Sequence, residues 1–289
     1  MPSPFLRLRA RYLLLWLVVS SVVAVVVVSP PLVPASSPEP LEEGLLMWTI
    51  YGLLVVLTFA QARLAGLRPA SFFHPAASPR ELTRLSTLAI PLVGLAFICT
   101  YAVFAPLSLV WPDFVQLWLL EDVPVLYDSR VSAAANIVGV TAATLAAPVA
   151  EEWFFRGLLL RRWAEKWSVT TGVVGSSLVF AVLHADVLGA FLFGLAMCAL
   201  YARYRSLWPS LVVHAANNGL VVILVVLDAH SDLVLQAATV EQFRAGWWAV
   251  LIGIVMAAPW LGWIRRPRIP IATWQFDRDA GHAMMQPPG

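Results

Sequence analysis

Ala147-Pro148-Val149-Ala150-Glu151-Glu152-Trp153-Phe154-Phe155-Arg156-Gly157 sets two carboxylates and a guanidinium inside a run that is otherwise apolar. An ionised side chain at membrane depth costs about 2.5 to 3.5 kcal/mol even on lenient insertion scales, so such a trio marks a function. On a helix, residues four apart share a face and adjacent residues diverge by about 100°. Glu152 and Arg156 are therefore expected to pair, which holds that carboxylate ionised. Glu151 points elsewhere, has no partner in its own helix and is free to act as a base. Pro148 denies the Thr144 carbonyl its helical donor and is expected to kink the helix beside Glu151. Backbone freed in this way is tolerated at depth only against protein or a water-filled cavity. A buried ion pair that merely fixes packing would account for Glu152 and Arg156 but leaves Glu151 unexplained.

The surrounding chain confirms the apolar setting. Of 289 residues, 60% are hydrophobic and 12% charged, and the mean hydropathy of +0.78 lies far above that of a soluble domain. The expected fold is all-α, a polytopic membrane protein with about eight transmembrane helices. Candidate spans run approximately over 12–29, 44–62, 85–107, 131–160, 170–185, 187–204, 208–228 and 245–264. Cys99 and Cys198 both fall in apolar segments, so no disulfide framework is readable. No basic run resembles a nucleic-acid surface, and a nucleic-acid partner is not expected.

Charge sorts the connections into two sets. Arg7, Arg9 and Arg11, then Arg63, Arg68, Arg80 and Arg84, then Arg161, Arg162 and Lys166, then Arg203 and Arg205, and finally Arg265, Arg266 and Arg268 share one side if there are eight crossings. The opposite loops hold Glu39, Glu42, Glu43, Asp113, Glu121, Asp122, Asp128, Asp228 and Asp232, with Arg130 and Arg244 as basic exceptions. The positive-inside rule then makes this a multi-pass protein of the cell membrane with both termini cytoplasmic. The first span also has the arginine-rich start of a secretory signal and a later Pro34-Ala35-Ser36, but its apolar run is longer than a usual signal core. Trp16, Trp111, Trp118, Trp208, Trp260 and Trp263 near span ends suit an interfacial belt. Residues 1–266 form one helical transmembrane domain in this reading, and 267–289 a polar, proline-bearing cytoplasmic tail expected to be disordered.

Two further spans carry polar groups at one-turn spacing, Phe180 with His184 and His214 with Asn218. Taken singly, each histidine is adequately read as a packing residue with an interhelical hydrogen bond. Depth changes that reading. Counting about 1.5 Å per residue from the boundary arginines places Glu151 about 16 Å in, His184 about 21 Å, His214 about 13 Å and Asn218 about 19 Å. Three spans thus bring polar groups to one layer near the bilayer middle. A carboxylate and a histidine around a water form an acid/base pair able to deliver hydroxide to a carbonyl. A second histidine and an amide one turn away can hydrogen-bond the oxyanion that develops, each donor being worth on the order of 3 kcal/mol in a shielded site. Amide hydrolysis inside the membrane is the expected reaction.

At these residues the chain resembles the type II CAAX prenyl endopeptidases and their bacterial relatives, the CAAX proteases and bacteriocin-processing enzymes. The resemblance runs through Ala147 to Gly157, then Phe180-Ala181-Val182-Leu183-His184, the small-residue helix Gly189 to Tyr201, Ser206-Leu207-Trp208-Pro209-Ser210, and His214-Ala215-Ala216-Asn217-Asn218. It implies an eight-helix intramembrane protease with its core at about 131–228. Glu151 and His184 would activate water, His214 and Asn218 would donate to the oxyanion, Glu152 and Arg156 would support, and no metal would be needed. Asn217, next to the motif asparagine, is expected to pack. The substrate implied is a membrane-associated protein or peptide presented in the lipid bilayer. The N-terminal half carries no usable resemblance.

Two rivals stand beside this reading. A zinc peptidase would use His184, His214 and Glu151 as ligands, since three such groups plus water suit catalytic zinc. No His-Glu-x-x-His helix is present, and Arg156 beside the carboxylates disfavours a dication. A non-catalytic protein, such as an immunity factor, a scaffold or a proton-coupled transporter, would also retain buried carboxylates and histidines. The transporter reading prefers inverted repeats, which the sequence does not display.

Overall fold

The computed structural model describes residues 3–29, 33–75, 77–121, 125–230 and 237–264. Asp122, Asp232, Arg265, Arg266, Arg268 and the expected 267–289 tail lie outside the described residues, as do the side chains of Trp260 and Trp263. Helices make up the regular structure, and no strand occurs among the described residues. The protein is an all-α polytopic membrane protein.

Among the described residues, eight helical rods follow the eight apolar segments. They are α1 (Ala10–Val27), α2 (Glu39–Leu64), α3 (Ala89–Val110), α4 (Ala133–Lys166), α5 (Val169–Ala181), α6 (Val187–Tyr204), α7 (Leu207–Ala229) and α8 (Ala249–Ile264). Six of these are long and apolar enough to cross a bilayer, with α3 extended by the short helix Pro79–Ser86 in front of it. The other two, α5 and α8, have 13 and 16 residues. At about 1.5 Å per residue, α5 falls short of a 30 Å hydrocarbon core, whereas the 34 residues of α4 exceed it.

Side-chain caps set where the later helices begin. Ser132 accepts from Ala135 N, Ser168 from Thr171 N, Asp186 from Gly189 N and Ser206 from Trp208 N, each satisfying a donor that the first turn leaves unpaired. Helix α2 ends at Gly66, whose φ of 89° suits a residue without a Cβ. Helices α3 and α8 cross at a pair of glycines: a Cβ on Gly94 would stand 2.6 Å from the Gly253 carbonyl oxygen, and the reverse holds for Gly253. Only hydrogen fits there, as in other small-residue membrane crossings.

The core lies around the second half of α4. Every residue from Glu152 to Leu160 is buried, and Trp153, Phe154, Phe155, Phe180, Tyr201 and Leu207 form the centre of the main apolar cluster. At one end of the bundle Arg162 donates to the Leu8 carbonyl, Arg161 lies 4.5 Å over the Phe5 ring, and Tyr204 donates to Glu81. At the other end Gln116 accepts from Val240 N and Arg244 donates to Ser108. Loops that the charge pattern assigned to one side therefore do meet one another.

Candidate active site

Helix α4 is not uniform. Its bonding widens to the i to i+5 pattern over Ala142–Ala146 and again over Glu152–Leu160, with ordinary α-helix before, between and after. Such π-segments are rare and gather at functional sites. The first of them changes what Pro148 does. In the widened register Ala147 N reaches the Ala142 oxygen, so the carbonyl due a bond from residue 148 is that of Ala143. Proline has no N–H to give. The orphaned carbonyl is therefore Ala143 rather than the Thr144 expected from α-helical spacing, and Asn218 Nδ2 donates to it at 2.8 Å. One amide donor of Asn218 is thus committed to holding α7 against α4.

Glu152 and Arg156 pair as their spacing predicts. Arg156 Nη1 donates to Glu152 Oε1 at 2.9 Å, with both side chains essentially inaccessible. Arg156 Nη2 reaches the Gly194 carbonyl of α6 at 3.3 Å, and the guanidinium lies 4.8 Å over the Phe180 ring. Glu152 Oε1 also accepts from His214 Nδ1 at 2.9 Å. The other His214 nitrogen, Nε2, stands 3.6 Å from Glu151 Oε2, beyond hydrogen-bond range but close enough for strong electrostatic contact. His214 therefore lies between the two carboxylates.

Glu151 is not without a partner. It has none in its own helix, as expected, but Tyr51 of α2 donates to its Oε1 at 2.7 Å. Nothing in the motif pattern pointed to the N-terminal half. The available signal was the row Gly44, Tyr51, Thr58 at seven-residue intervals along α2, one face of a helix that must meet something small and polar.

His184 departs from its expected place on a helix. Helix α5 stops at Ala181, because the chain must reverse within five residues to reach Asp186, the cap of α6. His184 sits in that turn. Its Nδ1 lies 2.8 Å from the Phe180 carbonyl, which only accepts, so Nδ1 is the donor in that bond. The His184 ring stacks on Phe180 at 4.3 Å between centroids, and Phe180 meets His214 edge-on at 6.1 Å. Phe180 is thus the piece that joins His184 to the rest. Asn217 faces its neighbour, Nδ2 to Asn218 Oδ1 at 3.4 Å. Glu151, Glu152, Arg156 and His214 come together through direct bonds and close contacts, Asn218 is tied to the same helix through the Ala143 carbonyl, and His184 joins through the Phe180 ring.

The zinc set does not assemble. No group of three His, Cys, Asp or Glu side chains placed to hold a metal ion occurs among the described residues. His214 has one nitrogen bound to Glu152 and the other facing Glu151, with the Arg156 charge on the same carboxylate.

A helical membrane protein whose centre holds two carboxylates, an arginine and a histidine in mutual contact is the class defined by this fold and site. Residues 133–220, which contain every motif residue of the cluster, match the family described as Type II CAAX prenyl endopeptidase Rce1-like. Over 110 residues the chain is 26% identical to "Putative membrane peptidase YdiL" of Bacillus subtilis (strain 168), a match that covers 37% of this chain and 45% of that relative. The matched stretch spans less than half the length of that relative. Both findings bear out the family resemblance carried by the motifs. No solved structure matches.

Proposed function

We propose that this chain is an intramembrane endopeptidase that hydrolyses peptide bonds of a membrane-associated protein or peptide by carboxylate-activated water. The observation that carries the reading is Glu151, a carboxylate 7% exposed at membrane depth, whose neighbour Glu152 is the one paired with Arg156. A second carboxylate beside an ion pair already formed has no structural purpose that Glu152 and Arg156 do not already serve.

The chemistry runs as addition of water to the carbonyl followed by elimination of the amine. Glu151 takes a proton from water as the oxygen attacks the scissile carbonyl carbon, with the lone pair of His184 Nε2 orienting or sharing that proton. The tetrahedral oxyanion receives hydrogen bonds from His214 Nε2 and from the second N–H of Asn218. Donation by His214 requires protons on both ring nitrogens, and the carboxylates on its two sides supply the compensating charge. Collapse expels the amine, which takes the proton held by Glu151. No metal enters, so chelation should leave cleavage unchanged. The orientation that fits the arginine distribution has both termini in the cytoplasm.

Glu151→Gln keeps the shape of the side chain and removes the base. The expected outcome is normal expression and thermal stability in detergent with cleavage abolished. An active Glu151→Gln protein would sink the mechanism.

A further inference from the structure

The seam between α2 and α4 is built from a single repeated face. Gly44, Tyr51 and Thr58 recur every two turns, so they lie in a row, and each meets α4 at a different height. A Cβ on Gly44 would stand 2.6 Å from the Gly139 nitrogen, which shows how closely the backbones approach at one end. At the other end Thr58 Oγ1 accepts from Trp153 Nε1 at 2.9 Å while giving its own proton to the Leu54 carbonyl. Tyr51 lies between these two fixed points, and its hydroxyl meets Glu151 Oε1 at 2.7 Å. Sliding α2 by one turn, about 5.4 Å, would break all three contacts together.

We infer that Tyr51 is a positioning residue for Glu151: its hydroxyl occupies Oε1, fixes the plane of the carboxylate and leaves Oε2 as the oxygen presented to the cluster. This rests on the reading of Glu151 as the base. The groups facing Glu151 are few. Glu152 is its neighbour on α4 and is engaged by Arg156, His214 of α7 faces Oε2 at 3.6 Å, His184, which would share the water that Glu151 activates, is stacked on Phe180, and Tyr51 is the hydrogen-bond donor from α2. If Tyr51 only packed, its ring would matter and its hydroxyl would not.

A hydroxyl held on one carboxylate oxygen fixes the plane in which the other is presented. Removing it in Tyr51→Phe frees Oε1 and lets the carboxylate turn, so that Oε2 no longer points where the reaction needs it. The test uses the full chain in detergent as wild type, Tyr51→Phe and Glu151→Gln. Infrared difference spectra across pH follow the carboxylate band that Glu151→Gln removes, and a library of internally quenched peptides reports kcat and KM.

In Tyr51→Phe the band should shift, with kcat down on the order of tenfold and KM little changed. Incorporating 3-fluorotyrosine at position 51 retains ring and hydroxyl but makes a better donor, and should shift the band the other way. That arm also decides the matter if the phenylalanine variant folds poorly. A band identical to wild type would overturn the role of Tyr51, even if cleavage still depends on Glu151. Should the wild type cleave no peptide, the endopeptidase reading fails separately, and the infrared comparison still decides Tyr51.

Discussion

Replacing Glu152 or Arg156 by glutamine should unfold the bundle more readily than any change at Glu151. The two side chains are 0% and 1% exposed. Removing one partner strands the other: Arg156 would keep a single bond to the Gly194 carbonyl, and Glu152 would keep His214. Breaking a buried pair from one side typically costs about 3 to 5 kcal/mol. Independent effects would therefore sum to about 6 to 10 kcal/mol in the double variant. The pair is also imperfectly satisfied, because Glu152 Oε2 and Arg156 Nε lie buried with no hydrogen-bond partner among the described residues. Removing both charges relieves those atoms as well. The double variant should thus fall short of the sum by on the order of 3 kcal/mol. Activity need not return, since His214 loses the charged acceptor that holds its Nδ1. A double-mutant cycle on thermal unfolding in detergent, with cleavage assayed alongside, measures this. Additive losses would show that the pair does not stabilise α4, and the division of labour between the two glutamates would have to be abandoned.

Asn218→Ala leaves the Ala143 carbonyl unpaired and should cost about 1 to 3 kcal/mol. Pro148→Ala restores an N–H for that carbonyl and should recover part of this loss in the double variant without restoring cleavage, as read from melting curves and peptide turnover. At the α3 and α8 crossing, Gly94→Ala or Gly253→Ala drives a Cβ into a facing carbonyl and should cost about 1 to 3 kcal/mol. Gly52→Ala, with nothing within 4 Å of its Cβ position, should melt no lower than wild type. Reporter fusions at Arg80 and after residue 264 should register cytoplasm and one near Glu121 the outside, and the reverse pattern would refute the orientation drawn from the arginines.

Hydropathy made the helical rods legible because a span must be apolar whatever its neighbours are, and the one-turn spacing of Glu152 and Arg156 made their pairing legible because it is local. The π-register of α4 was not, since the same apolar residues satisfy either bonding pattern, and only the proline at 148 acting on Ala143 reveals the difference. The place of His184 was half legible. Asp186 is a good helix cap and implies a turn before it, but Phe180 and His184 at helical spacing argued for continuing α5. Tyr51 was hidden because its partner lies 100 residues away and ordinary aromatic residues abound in spans. The glycine, tyrosine and threonine row on α2 becomes informative only once α4 is known to lie against it.

The intrahelical position of Arg156 bears on how this protein enters the bilayer. Helices leave the ribosome in chain order, so α4 reaches lipid before α7 exists to supply His214. A lone carboxylate at that moment would resist insertion by about 2.5 to 3.5 kcal/mol. Arg156, one turn from Glu152, neutralises it within the same helix, and Tyr51 belongs to a helix already made. Glu151, Glu152 and Arg156 therefore each have a first companion at hand when α4 is inserted, and the histidine that completes the cluster arrives last, as the latch on an assembled bundle.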